Sequence, residues 1–323
     1  MCLTACTQDS TNEEAASSDI SSSEADSLTI CSFNIQFLGH FKKRDDKALA
    51  DILKDYDIVV IQELVAPPIA GTYPDDEAYT ADPESAEFFE AMEEQGFSYK
   101  LSEEDTGTGD EIHKSSSATE WWVAFYKPAS VECVSDIPCG FLAEDRSNHD
   151  DYERVPYAFA FRTPDEKLDF VLISVHLEPN GGTSHKARRK HELSAIANWI
   201  DVNDDEEKDF IILGDMNIED EDELADATPS GYLSLNDECR TTNTNINDPK
   251  PYDHVMYNTT FTTEIDSEFD LEVINLIEAM EDFWTSTEDE YPGEPYNHNL
   301  FKQHYSDHHP VVFRIKVSDE DDD

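Results

Sequence analysis

Positive charge is what this chain has least of. Its 323 residues carry 22 Lys and Arg against 74 Asp and Glu, a formal net charge of −52. Self-repulsion on that scale loosens a compact state in dilute buffer. Salt relieves it, because at about 1 M the screening length falls to about 3 Å. The acid is spread along the whole chain, so adaptation to salty surroundings is expected rather than one patch for basic partners. Long apolar runs are missing too. Nothing approaches about 18 consecutive apolar residues, so no membrane-spanning helix is expected. Six cysteines do not make a disulfide scaffold at this length, and no Cys/His cluster has zinc spacing, which argues against a zinc site. Yet 38% of the residues are hydrophobic and 11% aromatic, enough for a sizeable core.

The termini read as appendages. Leu3-Thr4-Ala5-Cys6 resembles a bacterial lipobox and is followed by residues rich in Ser, Asp, Glu and Ala. Residues 1–26 are expected to be a flexible tether with a lipid anchor through Cys6, which implies an extracellular or cell-envelope location. Residues 318–323 form an acidic tail. Between them, 27–317 shows no internal repeat and no second boundary, so one domain and a monomer are expected. Cys31 reads as a buried thiol. Cys133 and Cys139 bracket a short turn and could bond in an oxidising compartment.

Strands are expected at 28–33, 57–61, 97–101, 121–126, 154–161, 168–175, 210–213, 252–257, 269–274 and 311–315, with Val131–Val134 as the hairpin mate of 121–126. Helices are expected from the Asp45-Asp46 cap to about Lys54, at 85–95, and at 184–200, while 219–250 reads as mostly loop and 285–305 as loop. Many strands with few helices between them argue for packed sheets with helices outside.

Six of these apolar runs begin or end at chemistry-bearing residues: Asn34, Glu63, His176, Asp215 with Asn217, Asp253, and Asp307-His308. Glu63 and Asp307, with the neutral oxygen of Asn34, make an oxygen-rich set suited to Mg²⁺. His176 and His308 offer an acid and a base near neutral pH, with Glu120 and Asp253 able to orient them. Asp215 and Asn217 can orient a water or a phosphate oxygen. This inventory is one for metal-assisted hydrolysis of a phosphate ester.

The same residues carry a resemblance. Phe33-Asn34-Ile35-Gln36, Ile61-Gln62-Glu63, Ser174-Val175-His176, Leu213-Gly214-Asp215-Met216-Asn217, Tyr252-Asp253-His254 and Ser306-Asp307-His308-His309-Pro310 stand in the order of the endonuclease/exonuclease/phosphatase superfamily, most similar to its deoxyribonuclease I branch. The resemblance implies an α/β fold, a four-layer α-β-β-α sandwich of two packed mixed sheets with the site at one rim. It implies that Glu63, Asn34 and Asp307 bind Mg²⁺ (or Mn²⁺, with structural Ca²⁺ as an option). It further implies that His308, oriented by Asp253, activates water, that His176, paired with Glu120, protonates the leaving 3′ oxygen, and that Arg154 contacts phosphate. The expected reaction is hydrolysis of DNA phosphodiesters to 5′-phosphates. The alternatives are the same chemistry on a phospholipid or inositol phosphate, or a catalytically silent binding module. Two clusters among the few cations, Lys42, Lys43 and Arg44, and Lys186, Arg188 and Arg189, are expected to meet phosphates.

Overall fold

The computed structural model describes residues 27–107, 113, 119–145, 149–205, 207–286 and 290–317; the expected tether with Cys6 and the acidic tail lie outside them. Its first half holds β1 (Ser27–Leu38), α1 (Asp46–Leu53), β2 (Ile58–Leu64), β3 (Gly71–Thr72), β4 (Ala78–Tyr79), α2 (Pro83–Glu94), β5 (Ser98–Leu101), β6 (Trp121–Tyr126), β7 (Glu132–Cys133), β8 (Gly140–Phe141) and β9 (Tyr157–Arg162). Then follow β10 (Asp169–His176), α3 (Thr183–Asn203), β11 (Phe210–Asp215), α4 (Glu221–Ala227), β12 (Tyr232–Ser234), β13 (Asp253–Asn258), β14 (Glu272–Val273), α5 (Leu276–Ala279), a 3₁₀ turn (Glu281–Phe283), α6 (His298–His304) and β15 (Val311–Lys316).

The strands form two mixed sheets. One has the order β14-β15-β1-β2-β6-β5; the other runs β12-β13-β11-β10-β9-β7, with β8 also on β9. The β1–β2 and β10–β11 pairs are parallel, and the other pairs in these sheets are antiparallel. The continuous apolar runs explain the layering. In β2, Ile58 and Val60 face the other sheet, while Val59 and Ile61 face α1 and α2. In β11, Ile211 and Leu213 face inward and Phe210 and Ile212 face α3 and α4. A strand buried on both faces needs apolar residues at every position, and alternation disappears. Three cores result, and the α-β-β-α sandwich stands as expected. One polar link crosses the middle core: fully buried Gln62 on β2 donates to Ser174 Oγ on β10 at 3.1 Å.

Four expectations are corrected. The 131–134 segment is not the mate of β6; a turn closed by Ser130 N–H on Lys127 carries it to the second sheet, where Glu132 and Cys133 pair with Arg162 and Phe161. The 285–305 stretch, expected as loop, contains α6, capped by Asn297, while 219–250 is mostly loop as expected, with α4, capped by Asp220, inside it. Side-chain caps let short polar segments become helical without an apolar stripe. The 269–274 strand shrinks to Glu272–Val273. Cys133 and Cys139 are free thiols.

Candidate active site

Strand ends from both sheets meet at one rim. The first sheet supplies Asn34 at β1, Glu63 at β2, Glu120 just before β6, and Asp307 and His308 just before β15; the second supplies His176, Asp215 and Asp253 on three neighbouring strands. Register lines up the last three, His176 opposite Asp215 and Asp215 opposite Asp253. Two irregularities turn side chains into the rim. The β1–β2 register shifts between Asn34 and Leu38, and the β2–β6 register shifts between Ile61 and Leu64. Bulges of this kind re-aim side chains beside sites. Gln36, Phe37, Glu63 and Asn217 have φ of 54°, 52°, 63° and 51°, left-handed values that cost non-glycine residues about 1–3 kcal/mol each. Bonds hold them there: Phe37 N–H to Glu63 Oε2 at 3.1 Å, Glu63 N–H to Glu120 Oε2 at 3.1 Å, and Asn217 N–H to Asp215 Oδ1 at 2.9 Å.

The two histidines flank one carboxylate. His176 Nε2 and His308 Nε2 each lie 3.5 Å from Asp215 Oδ2. Their other nitrogens are held by separate buried acids: His176 Nδ1 by Glu120 Oε1 at 2.7 Å, His308 Nδ1 by Asp253 Oδ2 at 2.8 Å. Each pair takes one member from each sheet. Burial opposes protonation of both imidazoles. For His308, Asp253, Asp215 and Asp307 outweigh it and leave the pKa well above its ordinary value. For His176, burial and Arg154 are outweighed by Glu120 and Asp215, and its pKa is also raised. Burial, with Asp307 and Glu120, lifts Glu63 to about 7 despite His176 and Asn34.

The donor set suits a hard dication. Glu63, His176 and Asp215 offer ligand atoms within 4.8 Å of one another, as do Asp215, Asp253 and His308. Asp307 Oδ1 and Asp253 Oδ1 are buried without a hydrogen-bond partner, which marks demand for positive charge. Two details differ from expectation. The grouping centres on Asp215. Asn34 turns its amide nitrogen, not its oxygen, to the carboxylates, donating to Glu63 Oε1 and Asp215 Oδ2 at 2.9 Å each while its oxygen accepts Gln36 N–H. A third acidic group, Glu219, Asp220 and Glu223, is occupied by Lys186 and Arg189.

The expected cationic track is largely spent inside the protein. Arg44 has a fully buried side chain bound to Glu84 and to the carbonyls of Ile35, Gln36 and Tyr305. Arg189, also buried, binds Glu223 and the carbonyls of Glu178 and Asn180. Both guanidinium groups are turned inward, Arg44 to carbonyls of β1 and of the α6 C-cap, Arg189 to carbonyls of the segment after β10. Lys42 pairs with Asp82, Lys186 with the α4 acids, and Arg188 with the carbonyls of His149 and Asp150, while Lys43 is exposed. Only Arg154, whose Nε is 2.7 Å from Glu120 Oε1, forms an ion pair with a candidate catalytic residue among the described residues, and both its Nε and its Nη1 are buried without a hydrogen-bond partner.

Sequence reasoning missed two supports. Gln36 donates from Nε2 to Asp307 Oδ2, and Ser306 Oγ, 2.7 Å from Asn34 O, accepts His308 N–H. Their place beside Asn34 and Asp307 was the signal that could have found them.

The model of the Endonuclease/Exonuclease/phosphatase family matches residues 31–308. The chain belongs to this family. No curated protein matches it. Among solved structures, an endonuclease/exonuclease/phosphatase family protein from Bacteroides thetaiotaomicron is 16% identical, covering 90% of this chain and 95% of that one, with a TM-score of 0.57. A mannosyl-6-phosphatase from the same organism is 16% identical over 88% of this chain and 98% of its own, TM-score 0.56. D. rerio TDP2 complexed with a single-strand DNA product is 15% identical over 89% and 98%, TM-score 0.52. These likenesses establish the shared fold, and membership of the family supports phosphoester hydrolysis assisted by a divalent cation.

Proposed function

We propose that this family member is a divalent-cation-dependent phosphodiesterase that cuts DNA to 5′-phosphate products. The observation that carries this reading is the pair of imidazoles on either side of Asp215, each with its Nδ1 held by its own acid. Such a pair suits in-line displacement. His308, kept in one tautomer by Asp253, takes a proton from the attacking water at Nε2. His176, held by Glu120, gives a proton to the departing 3′ oxygen, an alkoxide too basic to leave unaided. Asp215 and Asn217 orient the attacking oxygen, and Arg154 steadies the phosphoryl group through its unpartnered N–H. A hard cation such as Mg²⁺ or Mn²⁺, held by Glu63, Asp215 and Asp307, would neutralise charge on the phosphoryl oxygens. The similarity to a TDP2 bound to a DNA product supports the substrate assignment. An envelope location with a Cys6 anchor and salt adaptation belong to the same proposal.

One observation favours a second reading. A polyanionic strand asks for a track of free cations, and in this protein Arg44, Arg189, Lys42 and Lys186 are taken by its own acids and carbonyls. A small phosphoester, such as a sugar or inositol phosphate, needs no such track. Plasmid nicking in Mg²⁺, in EDTA, and with His176→Ala, run beside phosphate release from small phosphoesters, decides between them. DNA hydrolysis lost on chelation and on substitution is expected. Nicking that survives chelation refutes the role of the cation, and nicking that survives the substitution refutes His176 as proton donor. Phosphate release without nicking moves the substrate to the second class.

A further inference from the structure

Glu192 lies on the inner stripe of α3 with 0% exposure, among Leu193, Ile196 and Ile200. A carboxylate buried in such a place is costly unless compensated, and among the described residues Glu192 forms no ion pair. Its compensation is two backbone N–H groups: Oε1 accepts from Glu153 at 2.7 Å and Oε2 from Glu178 at 3.0 Å. These are not arbitrary segments. Glu153 immediately precedes Arg154, and Glu178 lies two residues beyond His176. Arg154 Nε and His176 Nδ1 both meet the same atom, Glu120 Oε1, each at 2.7 Å. One turn earlier on α3, Arg189 Nη1 donates to the carbonyl of Glu178 at 2.9 Å. The residue-178 backbone is therefore gripped at both ends, its N–H by Glu192 and its C=O by Arg189. Arg189 is itself fixed by Glu223 on α4 at 2.7 Å.

We propose that Arg189 and Glu192 are positioning residues for proton donation: one face of α3 clamps the backbones that carry His176 and Arg154 and so sets their alignment on Glu120. The inference rests on the reading of His176 as the proton donor. Neither residue touches the reacting atoms. Their effect passes through the angle and distance of His176 to the leaving oxygen, where small misplacements weigh heavily.

A donor that is mispositioned, rather than a protein that is merely loosened, has a distinct signature. It slows the departure of a basic alkoxide and spares a leaving group that needs no proton. The experiment compares Glu192→Gln and Arg189→Lys with the parent protein in Mg²⁺, on a dinucleotide and on the p-nitrophenyl ester of thymidine 5′-phosphate. Glu192→Gln keeps the volume but turns a second acceptor into a donor facing an N–H; Arg189→Lys keeps the charge but loses the fork. For each variant kcat on the dinucleotide is expected to fall about 100-fold, the low end of the range ascribed to general acid catalysis, with KM little changed; a loss that passes through Arg154 falls on both esters alike, so nitrophenolate release is expected to fall at least about 10-fold less. Circular dichroism and melting confirm the fold of each variant, and Arg189→Lys carries the test if Glu192→Gln does not fold. Equal losses on both esters, or no loss on either, overturn the clamp. A parent protein that hydrolyses neither ester removes the underlying reading instead.

Discussion

Replacing Gly214 with Ala is expected to damage both stability and catalysis, by an amount that follows from two local measurements. Gly214 sits on β11 opposite Val175, one residue before the His176–Asp215 pair. Its φ is +136°, and a Cβ there would lie 2.2 Å from Val175 O, where real contacts stay above 3.0 Å. The backbone value costs an L-residue about 1–3 kcal/mol. The contact is with backbone, so no side chain can swing aside; β10 and β11 must part by roughly 0.8 Å, the difference between 3.0 and 2.2 Å. Together with weakened ladder bonds of about 1 kcal/mol each, the total is about 3 kcal/mol, which lowers the melting temperature by roughly 5 °C in a domain of this size. The same displacement opens the 3.5 Å approach of His176 to Asp215. Misplacement near 1 Å costs on the order of 100-fold in rate. The assay is phosphodiester hydrolysis in Mg²⁺, well below the variant's melting point, beside a thermal melt. A variant that melts with the parent and keeps its full rate would refute both the register and the place of this strand pair in the site.

Three other outcomes are expected. Asp253→Asn removes the acid that leads in holding the His308 pKa up against burial, so an NMR titration of the ion-free protein will show that pKa fall; an unchanged value contradicts the pairing. Asp46, buried at the start of α1 with one carboxylate oxygen unpartnered, is pushed up to about 8 by burial and by Glu84. Its unfolded value is about 3.9, so its contribution to stability is full below that pH and is lost as pH rises through about 8. Asp46→Asn will therefore gain in melting temperature relative to the parent as pH rises from about 5 to about 8, and a constant difference refutes the shift. Finally, with a net charge of −52, activity on DNA is expected to rise with salt before it falls; a monotonic decline from about 50 mM upward would end the salt-adaptation reading.

The parts of the site that could be read from sequence were those where an apolar run stops at a polar residue. His176 and Asp215 end strands buried on both faces and Glu63 stands one residue from the end of another, and a strand with an apolar body leaves few places for a carboxylate or imidazole except its mouth. The cations were less legible. Sequence records the charge of Arg44 and Arg189 but not whether a guanidinium looks outward, and in the fold both turn inward to carbonyls. The orientation of Asn34 was hidden because the bulge after it brings Gln36 N–H back onto its side-chain oxygen. Glu192 was invisible for a related reason: on a helix stripe a lone acid reads as an exposed interruption, and only the fold brings two distant N–H groups to it.

The division of each histidine pair between the two sheets has a consequence for how this protein fails. Glu120 and His308 travel with one layer, His176 and Asp253 with the other, so parting the layers by the width of a single water disconnects both histidine–acid pairs at once. Turnover then reports on the seam rather than on the helices outside it. In rising denaturant, hydrolysis will vanish while most helical signal persists, and neither half of the polypeptide will regain it without the other.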